Sequence, residues 1–360
     1  MVINFLIDFM YIIKVKTMFP RVTVIILNWN GWEDTIECVE SLKNIDYPNY
    51  DTIIVDNGSA DNSIEKIKEY YNGKIIPQSN YFEYSNNGKP IDLNELVYEN
   101  NQFNLEDVNI NSITQENSSL LIKNDKNSGF TEGNNIAIRF ALKYINPEYF
   151  LLLNNDTVVE KKFLNELIHV ALKERDTGLL GPKIYCYNND NVSNVVSFAG
   201  GNINLNTCQP HPLGANELDN GQFDIERKVD YVEGSCLLVK NELVSNIGFL
   251  DKEYFTYWEE IDWCIRGKNA GYNCIYVPSA KIWHKGYGSD IGANSMYYMI
   301  RNRFLFMRKN TETLQTISSL VYYFGYYFWI IFFSVTIFNR DKKKSRSLLK
   351  GTVDGIRSLN

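Results

Sequence analysis

Val22, Val24, Ile25, Ile26 and Leu27 form a nearly unbroken apolar run within residues 21–27, the pattern of a strand buried on both faces. A polar turn, Asn28-Trp29-Asn30-Gly31, separates it from Ile36, Val39 and Leu42, which recur at helical spacing. The cycle then repeats. A second apolar run at residues 52–55 ends in Asp56-Asn57-Gly58-Ser59, and Ile64, Ile67 and Tyr71 follow at helical spacing, with Asp61 or Ser63 placed to cap that helix. Two strand–helix units in succession predict an α/β fold with a parallel sheet and helices on both of its faces.

The rhythm fails across residues 78–118, which are rich in Asn and acid and predict a loosely ordered insertion. It resumes with a strand at residues 120–123, a turn from Asn127 to Asn135, a helix at 136–144, and an apolar strand at 149–153 that ends in Asn154-Asn155-Asp156. A helix follows at residues 163–172. Beyond Gly178 the pattern changes to short strands and turns, at 179–185, 195–205 around Gly200-Gly201, and 229–240. A helix at 259–269 closes at Gly271, strands follow at 274–277 and 281–285 on either side of Pro278, and a helix spans 297–307. Residues 317–338 carry no charge, and Arg340, Lys342, Lys343, Lys344 and Arg346 come directly after them.

These rhythms divide the chain into a terminal extension (residues 1–20), one large α/β domain (21–310) interrupted by the insertion at 78–118, and a hydrophobic helix with a basic tail (311–360). The apolar stretch at residues 2–13 is shorter than a membrane span and lacks a signal peptide's basic start, so Met18 is an alternative start of the chain. A formal net charge of −7 argues against a general nucleic-acid binder. That charge is uneven. Residues 78–118 hold seven acids against one lysine, whereas residues 339–360 hold seven bases against two acids. The six cysteines contain no C-x-x-C pair, which excludes the common zinc clusters and predicts reduced thiols.

Candidate chemistry collects at strand ends, where open α/β sheets bind their ligands. Asp56 occupies such an end, where its carboxylate either accepts the N3–H of a uracil or thymine ring or closes an Asx-turn. The turn from Asn127 to Asn135 opens a helix whose backbone N–H groups attract phosphate, and the Gly129–Gly133 spacing does not match a dinucleotide fingerprint. Asp156 is a hard oxygen ligand of the kind that holds Mg²⁺ or Mn²⁺ together with substrate phosphates. Glu259, Glu260 and Asp262 raise one another's pKa, as suits a general base, or else complement a helix N-terminus. His284 follows Trp283 in a strand, whereas His169 and His211 read as structural.

In this order the motifs resemble the family 2 glycosyltransferases, and among them the rhamnosyltransferase-like branch. The resemblance runs from about Val22 to Lys309 and implies the GT-A fold, a nucleotide-binding half joined to an acceptor half. It implies that Asn28, Asp56 and Asn155 hold the nucleoside, with Asn30, Asn57, Asn127, Gly129, Gly133 and Asn134 completing the nucleotide site. Asp156 corresponds to the metal-binding end of the D-x-D motif, whose first position is Asn154 here, and His284 to the histidine that completes the Mn²⁺ or Mg²⁺ site. Glu260 corresponds to the base of the E-D motif, with Glu259 and Asp262 as alternatives.

The implied reaction is direct displacement with inversion, from a nucleotide-sugar donor (rhamnose first among the sugars) to a glycan or polyprenyl-linked acceptor. The alternatives are a nucleotidyltransferase of sugar metabolism and an inactive membrane scaffold. Residues 317–338 are long enough to span a bilayer, but their central Tyr and Trp also fit an interfacial helix, or a buried helix of a homodimer. With flanking basic residues they predict association with the cytoplasmic face of the cell membrane.

Overall fold

A computed structural model describes residues 18–84, 88–106, 109–115, 117–286 and 292–359. The apolar stretch at residues 2–13 lies outside the described residues, and so does most of the terminal extension.

The first half is the parallel sheet that the apolar runs predict. Strand β1 (Val22–Asn28) leads to helix α1 (Trp32–Lys43), β2 (Tyr50–Asn57) and α2 (Ser63–Tyr71). Next come β3 (Leu93–Glu99), β4 (Gln102–Asn104), β5 (Ser119–Asn124), α3 (Gly129–Tyr144) and β6 (Tyr149–Asn154). β1 lies between β2 and β6, parallel to both, and the register sets Asn28 opposite Asp56 and Leu27 opposite Asn154. Three polar strand ends are therefore level along one edge of the sheet. Val22, Ile25, Ile26, Ile54, Leu121 and Leu152 are buried in the core beneath them.

The insertion is more ordered than its composition predicts. Its β3 pairs in parallel with β5 and extends the sheet, while β4 folds back antiparallel. Leu96 and Tyr98 are buried on one face, and Glu95 is held by Lys68 and Lys123, each at 2.7 Å. Alternation over so few residues is a weak signal inside an acidic stretch, and the neighbouring strand supplies the missing stability.

The second half mixes parallel and antiparallel pairings. It contains β7 (Thr157–Val159), α4 (Phe163–Ala171), β8 (Thr177–Cys186), β9 (Val195–Phe198), β10 (Gly201–Asn204) and β11 (Gln209–Pro212). The short strands β12 (Glu217–Leu218) and β13 (Arg227–Lys228) precede β14 (Cys236–Lys240), α5 (Asn241–Ile247), α6 (Glu259–Asn269) and β15 (Asn273–His284). β14 inserts between β6 and β8, antiparallel to both. β15 runs parallel to β8, while the pairings of β9 with β8 and of β7 with β15 are antiparallel. The two strands predicted on either side of Pro278 are one, β15, with an irregularity between Val277 and Lys281 that accommodates the proline. The end of β15 pairs with β7 and sets His284 opposite Thr157, beside Asp156.

Helix α7 (Ala293–Asn310) crosses the second half and meets the apolar helix α8 (Thr313–Phe338), which is capped by a reciprocal Glu312–Gln315 box. The basic tail is itself a helix, α9 (Lys342–Arg357), whose start is capped by Asp341. α9 packs on α7 so closely that a Cβ on Gly351 would stand 2.8 Å from the Tyr297 carbonyl. Tyr323–Thr352 and Thr336–Ser345 hydroxyl pairs, at 2.6 and 3.0 Å, tie α9 antiparallel along α8.

Candidate active site

At the parallel edge the polar ends form a closed network. Asn28 Nδ2 donates to Asp56 Oδ1 at 2.7 Å, Ser59 Oγ donates to the same oxygen at 2.6 Å, and Ser59 N donates to Oδ2 at 3.1 Å. Thr35 donates to Asn28 at 2.8 Å and receives Asn155 Nδ2 at 3.1 Å. Asn30, with φ of 52°, accepts Ala60 N at 2.8 Å through its side chain. Asn28, Asn30, Asp56 and Asn155 are thus brought together, with Trp29 exposed beside them.

The other candidates of the nucleotide site serve the loop behind this edge. Asn57 donates to Asn127 and to the Gly129 carbonyl, at 3.2 and 3.1 Å, and Asn127 accepts Gly129 N at 2.9 Å. Asn134 is buried and donates to the Phe130 carbonyl at 2.8 Å. Gly129 has φ of +83°, and a Cβ there would come 2.6 Å from the Phe255 carbonyl, so only glycine admits that close approach. Gly133 lies in the first turns of α3, against Leu27.

The β7–β15 pairing brings Asp156 Oδ1 to 3.2 Å from His284 Nε2. On the other side of the ring Glu233, a residue that no sequence motif marks, stands 3.4 Å from Nδ1 without hydrogen-bond alignment. Burial alone would lower the His284 pKa, but the two carboxylates outweigh it and raise the imidazole to about 10. Burial would raise Asp156, and the His284 hydrogen bond reverses this and holds it below the usual carboxylate range. Among the described residues no three His, Cys, Asp or Glu groups converge as a metal site. The oxygen and imidazole nitrogen at 3.2 Å do fit a two-ligand site whose remaining positions go to substrate phosphate and water.

The three acids in the first turn of α6 separate by environment. Asp262 is buried and committed to Arg266 Nε at 2.7 Å, Asn310 Nδ2 at 2.8 Å and Tyr254 OH at 3.1 Å. Glu259 is buried with Oε2 unpartnered, and burial together with Glu260 pushes its pKa well up. Glu260 also has an unpartnered Oε2, lines a cavity of about 330 Å³, and is raised by burial and by Glu233 to about 7. Glu233, Phe198, Tyr231, Trp258, Arg303 and Tyr327 share that cavity. A larger recess of about 960 Å³ lies by Pro20, Glu148 and Tyr149, at the opposite end of the parallel strands and away from these carboxylates.

The loop that delivers Glu260 is strained. Phe255, Tyr257 and Trp258 have φ of 66°, 67° and 78°, each costing about 1–3 kcal/mol in a non-glycine residue. Asn302 on α7 holds them by donating to the carbonyls of Tyr254, Thr256 and Tyr257 at 2.9, 2.7 and 2.7 Å. Sequence reading misses Asn302 because helical spacing alone gives it no role.

A family model described as glycosyltransferase like family 2 matches residues 20–303. The chain belongs to glycosyltransferase family 2. Among family relatives, a low-salt glycan biosynthesis hexosyltransferase, Agl10 of Haloferax volcanii, is 26% identical over 185 residues, 50% of this chain and 57% of that protein. The chain thus matches little more than half of that relative's length. The dTDP-rhamnosyl transferase RfbF of Shigella flexneri is 25% identical, over 65% of this chain and 77% of its own length. An N-acetylglucosaminyl-diphospho-decaprenol L-rhamnosyltransferase of Mycobacterium tuberculosis is 42% identical over 59 residues, 16% of this chain and 19% of that one.

Among solved structures, GalNAc-T7 with UDP, GalNAc and Mn²⁺ superposes with a TM-score of 0.53 at 13% identity, over 88% of this chain and 57% of that one. Staphylococcus aureus TarS 1–349 with UDP gives a TM-score of 0.51 at 14% identity, over 94% and 80%. The fold of this family member is GT-A.

Proposed function

We propose that the chain transfers a sugar, with inversion, from a nucleoside-diphosphate sugar to a hydroxyl of a growing or lipid-linked glycan, and that Glu260 is the base. One observation carries the reading. Glu260 projects into a cavity from the first turn of α6, directly after a strained, over-determined loop, with an oxygen unpartnered and a pKa near neutrality, which is what a general base needs. Glu233 links this cavity to the Asp156–His284 pair, and the Asn28–Asp56–Asn155 network flanks that pair along the same sheet edge.

The nucleoside lies at this network, where Asp56 fixes Asn28 and Ser59, and exposed Trp29 and Asn30 meet the base. Asn57, Asn127, Gly129, Gly133 and Asn134 shape the loop behind it. Asp156 and His284 would hold a Mn²⁺ or Mg²⁺ ion, which would supply positive charge against the departing diphosphate. Glu260 takes the acceptor proton, while Glu233 and His284 fix the charge balance beside it. The printed names of the relatives favour rhamnose carried on dTDP. The turn after β1 contains no Arg or Lys, which disfavours nucleotidyl transfer.

Helix α8 exposes Ile317, Val321, Trp329, Ile330 and Phe333, and α9 exposes Leu349 and Val353 beside Lys342, Lys343, Arg346 and Lys350. α9 is docked both on α8 and on α7 of the catalytic half, so an α8 that crossed the bilayer would carry those cations into hydrocarbon, at about 2.5–3.5 kcal/mol each. We therefore read α8 and α9 as a hairpin lying in the plane of an anionic cytoplasmic leaflet. Protease access to a C-terminal tag, on the same side as the catalytic domain in sealed vesicles, is expected. Access only from the opposite side would mean a span.

The deciding experiment measures nucleoside-diphosphate release in detergent from UDP-, dTDP- and GDP-sugars, with Mn²⁺ and a membrane lipid extract. One donor is expected to turn over with wild type and to fail with Glu260→Gln. Equal release by both proteins would remove Glu260 as the base, and no release from any donor by folded wild type would count against the transferase reading.

A further inference from the structure

Arg303 lies in the middle of α7, 1% exposed, and among the described residues no carboxylate pairs with it. One Nη2 donates to the Thr207 carbonyl at 2.6 Å and to Gln209 Oε1 at 3.3 Å, while Nε has no partner. The Tyr327 ring lies 4.0 Å away, with Tyr322 and Tyr323 at 5.7 and 5.9 Å. Neutral carbonyls and ring faces offset only part of the cost of burying a guanidinium. Lys183 shows how this fold otherwise treats a buried cation: it is equally enclosed and is paired with both Asp219 and Asp224.

Arg303 borders the same cavity as Glu260 and Glu233, and Tyr327, which covers it, belongs to the apolar helix α8. A planar guanidinium matches phosphate oxygens bidentately and is always charged. The helix that carries Tyr327 also exposes Tyr326, Trp329 and Ile330, an apolar surface on which a hydrocarbon chain can lie.

We propose that Arg303 binds a phosphoryl group of the acceptor, so that the acceptor is a saccharide linked through phosphate to a lipid. Its sugar hydroxyl lies at Glu260, its phosphate on Arg303, and its chain leaves past Tyr327 along α8. The inference deepens the transferase reading and rests on it. In the absence of acceptor, burial without an anion holds Arg303 below its ordinary pKa, and a bound phosphate relieves that penalty.

The test uses the full chain in detergent with saturating UDP or dTDP and Mn²⁺, and follows tryptophan fluorescence, since Trp258 lines the cavity. Farnesyl phosphate is expected to bind at least about tenfold more tightly than farnesol, the order expected of one charge-assisted contact. Arg303→Met should abolish that preference and Arg303→Lys should retain part of it. Equal affinity of wild type for the two probes, or an unchanged preference in Arg303→Met, overturns the proposal. The wild-type ratio decides the case even where Arg303→Met fails to fold. Displacement of farnesyl phosphate by an equal concentration of glucose 1-phosphate would overturn the lipid part. If no donor turns over yet the preference for farnesyl phosphate holds, the transferase reading fails and the phosphate site stands. If a donor turns over without that preference, the phosphate site alone fails.

Discussion

The two halves of the site treat their polar groups in opposite ways. At the parallel edge Asn28, Asp56, Ser59, Thr35 and Asn155 satisfy one another within a single network. In the second half Glu259 Oε2, Glu260 Oε2, His284 Nδ1, Ser197 Oγ, Ser235 Oγ and Arg303 Nε are buried without hydrogen-bond partners among the described residues. Buried orphans are costly, and native proteins keep few of them. Within the site, the contrast teaches that the Asn28–Asp56–Asn155 network is complete in itself, whereas the groups around α6 and His284 keep unpartnered atoms that a ligand can meet; elsewhere the parallel half has buried orphans of its own, such as Thr23 Oγ1 and Asn135 Oδ1. The site's shifted carboxyls and imidazole, Glu259, Glu260, Asp156 and His284, belong to that incomplete part or border it.

The comparison is open to test, and the largest effect is expected at the orphaned base. Glu260→Gln should lower transfer by about 10²–10⁴-fold while nucleotide affinity stays near wild type. If Glu259→Gln has that effect and Glu260→Gln does not, the two carboxylates exchange roles. Asp262→Asn is expected to lower Tm first, because Arg266, Tyr254 and Asn310 depend on that carboxylate.

Next comes Asp156→Ala, expected to weaken Mn²⁺ binding and turnover by about a hundredfold. His284 is protonated at neutral pH without the ion, so Mn²⁺ binding should release about one proton, and affinity should fall as pH falls. Calorimetry in two buffers of different ionisation enthalpy reads that proton directly, and its absence would leave His284 outside the ion's coordination.

The pH profile gives the third effect. Because Glu260 is raised to about 7 and acts as the carboxylate, kcat/KM should fall about tenfold per unit as pH drops below that value and level off above it. A profile flat from pH 5 to 8 would place the base elsewhere. Asn302→Ala should then cost about 1–3 kcal/mol of stability, since it orphans carbonyls of the strained loop, with kcat falling more than donor KM rises.

The smallest effect is expected in the complete half. Asn28→Ala removes one member of a network whose others remain, and should raise donor KM by about tenfold or less with little change in kcat. A loss as large as that of Glu260→Gln would mean that the parallel edge also takes part in the chemistry.

The sequence by itself determined the parallel half and the order of its motifs. Short apolar runs such as 149–153, alternating with helical patterns and bounded by polar turns, read as strands buried on both faces, and the polar groups that end them then lie at one edge of a parallel sheet. It also marked the apolar α8, since an uncharged stretch of that length is unmistakable. Short alternation was less legible, so β3 was hidden in an acidic context that Lys68 and Lys123 neutralise from elsewhere.

What only the tertiary structure decided depends on pairings between distant segments. The antiparallel β7–β15 register sets His284 beside Asp156, and Glu233 reaches the other side of the ring from a segment without a motif. Three left-handed residues within four positions, Phe255, Tyr257 and Trp258, aim Glu260 into the cavity while Asp262 turns inward, a separation that spacing along the chain does not encode. Arg303 gained its meaning last. A helical arginine is ordinary in sequence, and only the packing of α8 against α7 shows that it is buried with no carboxylate paired to it among the described residues.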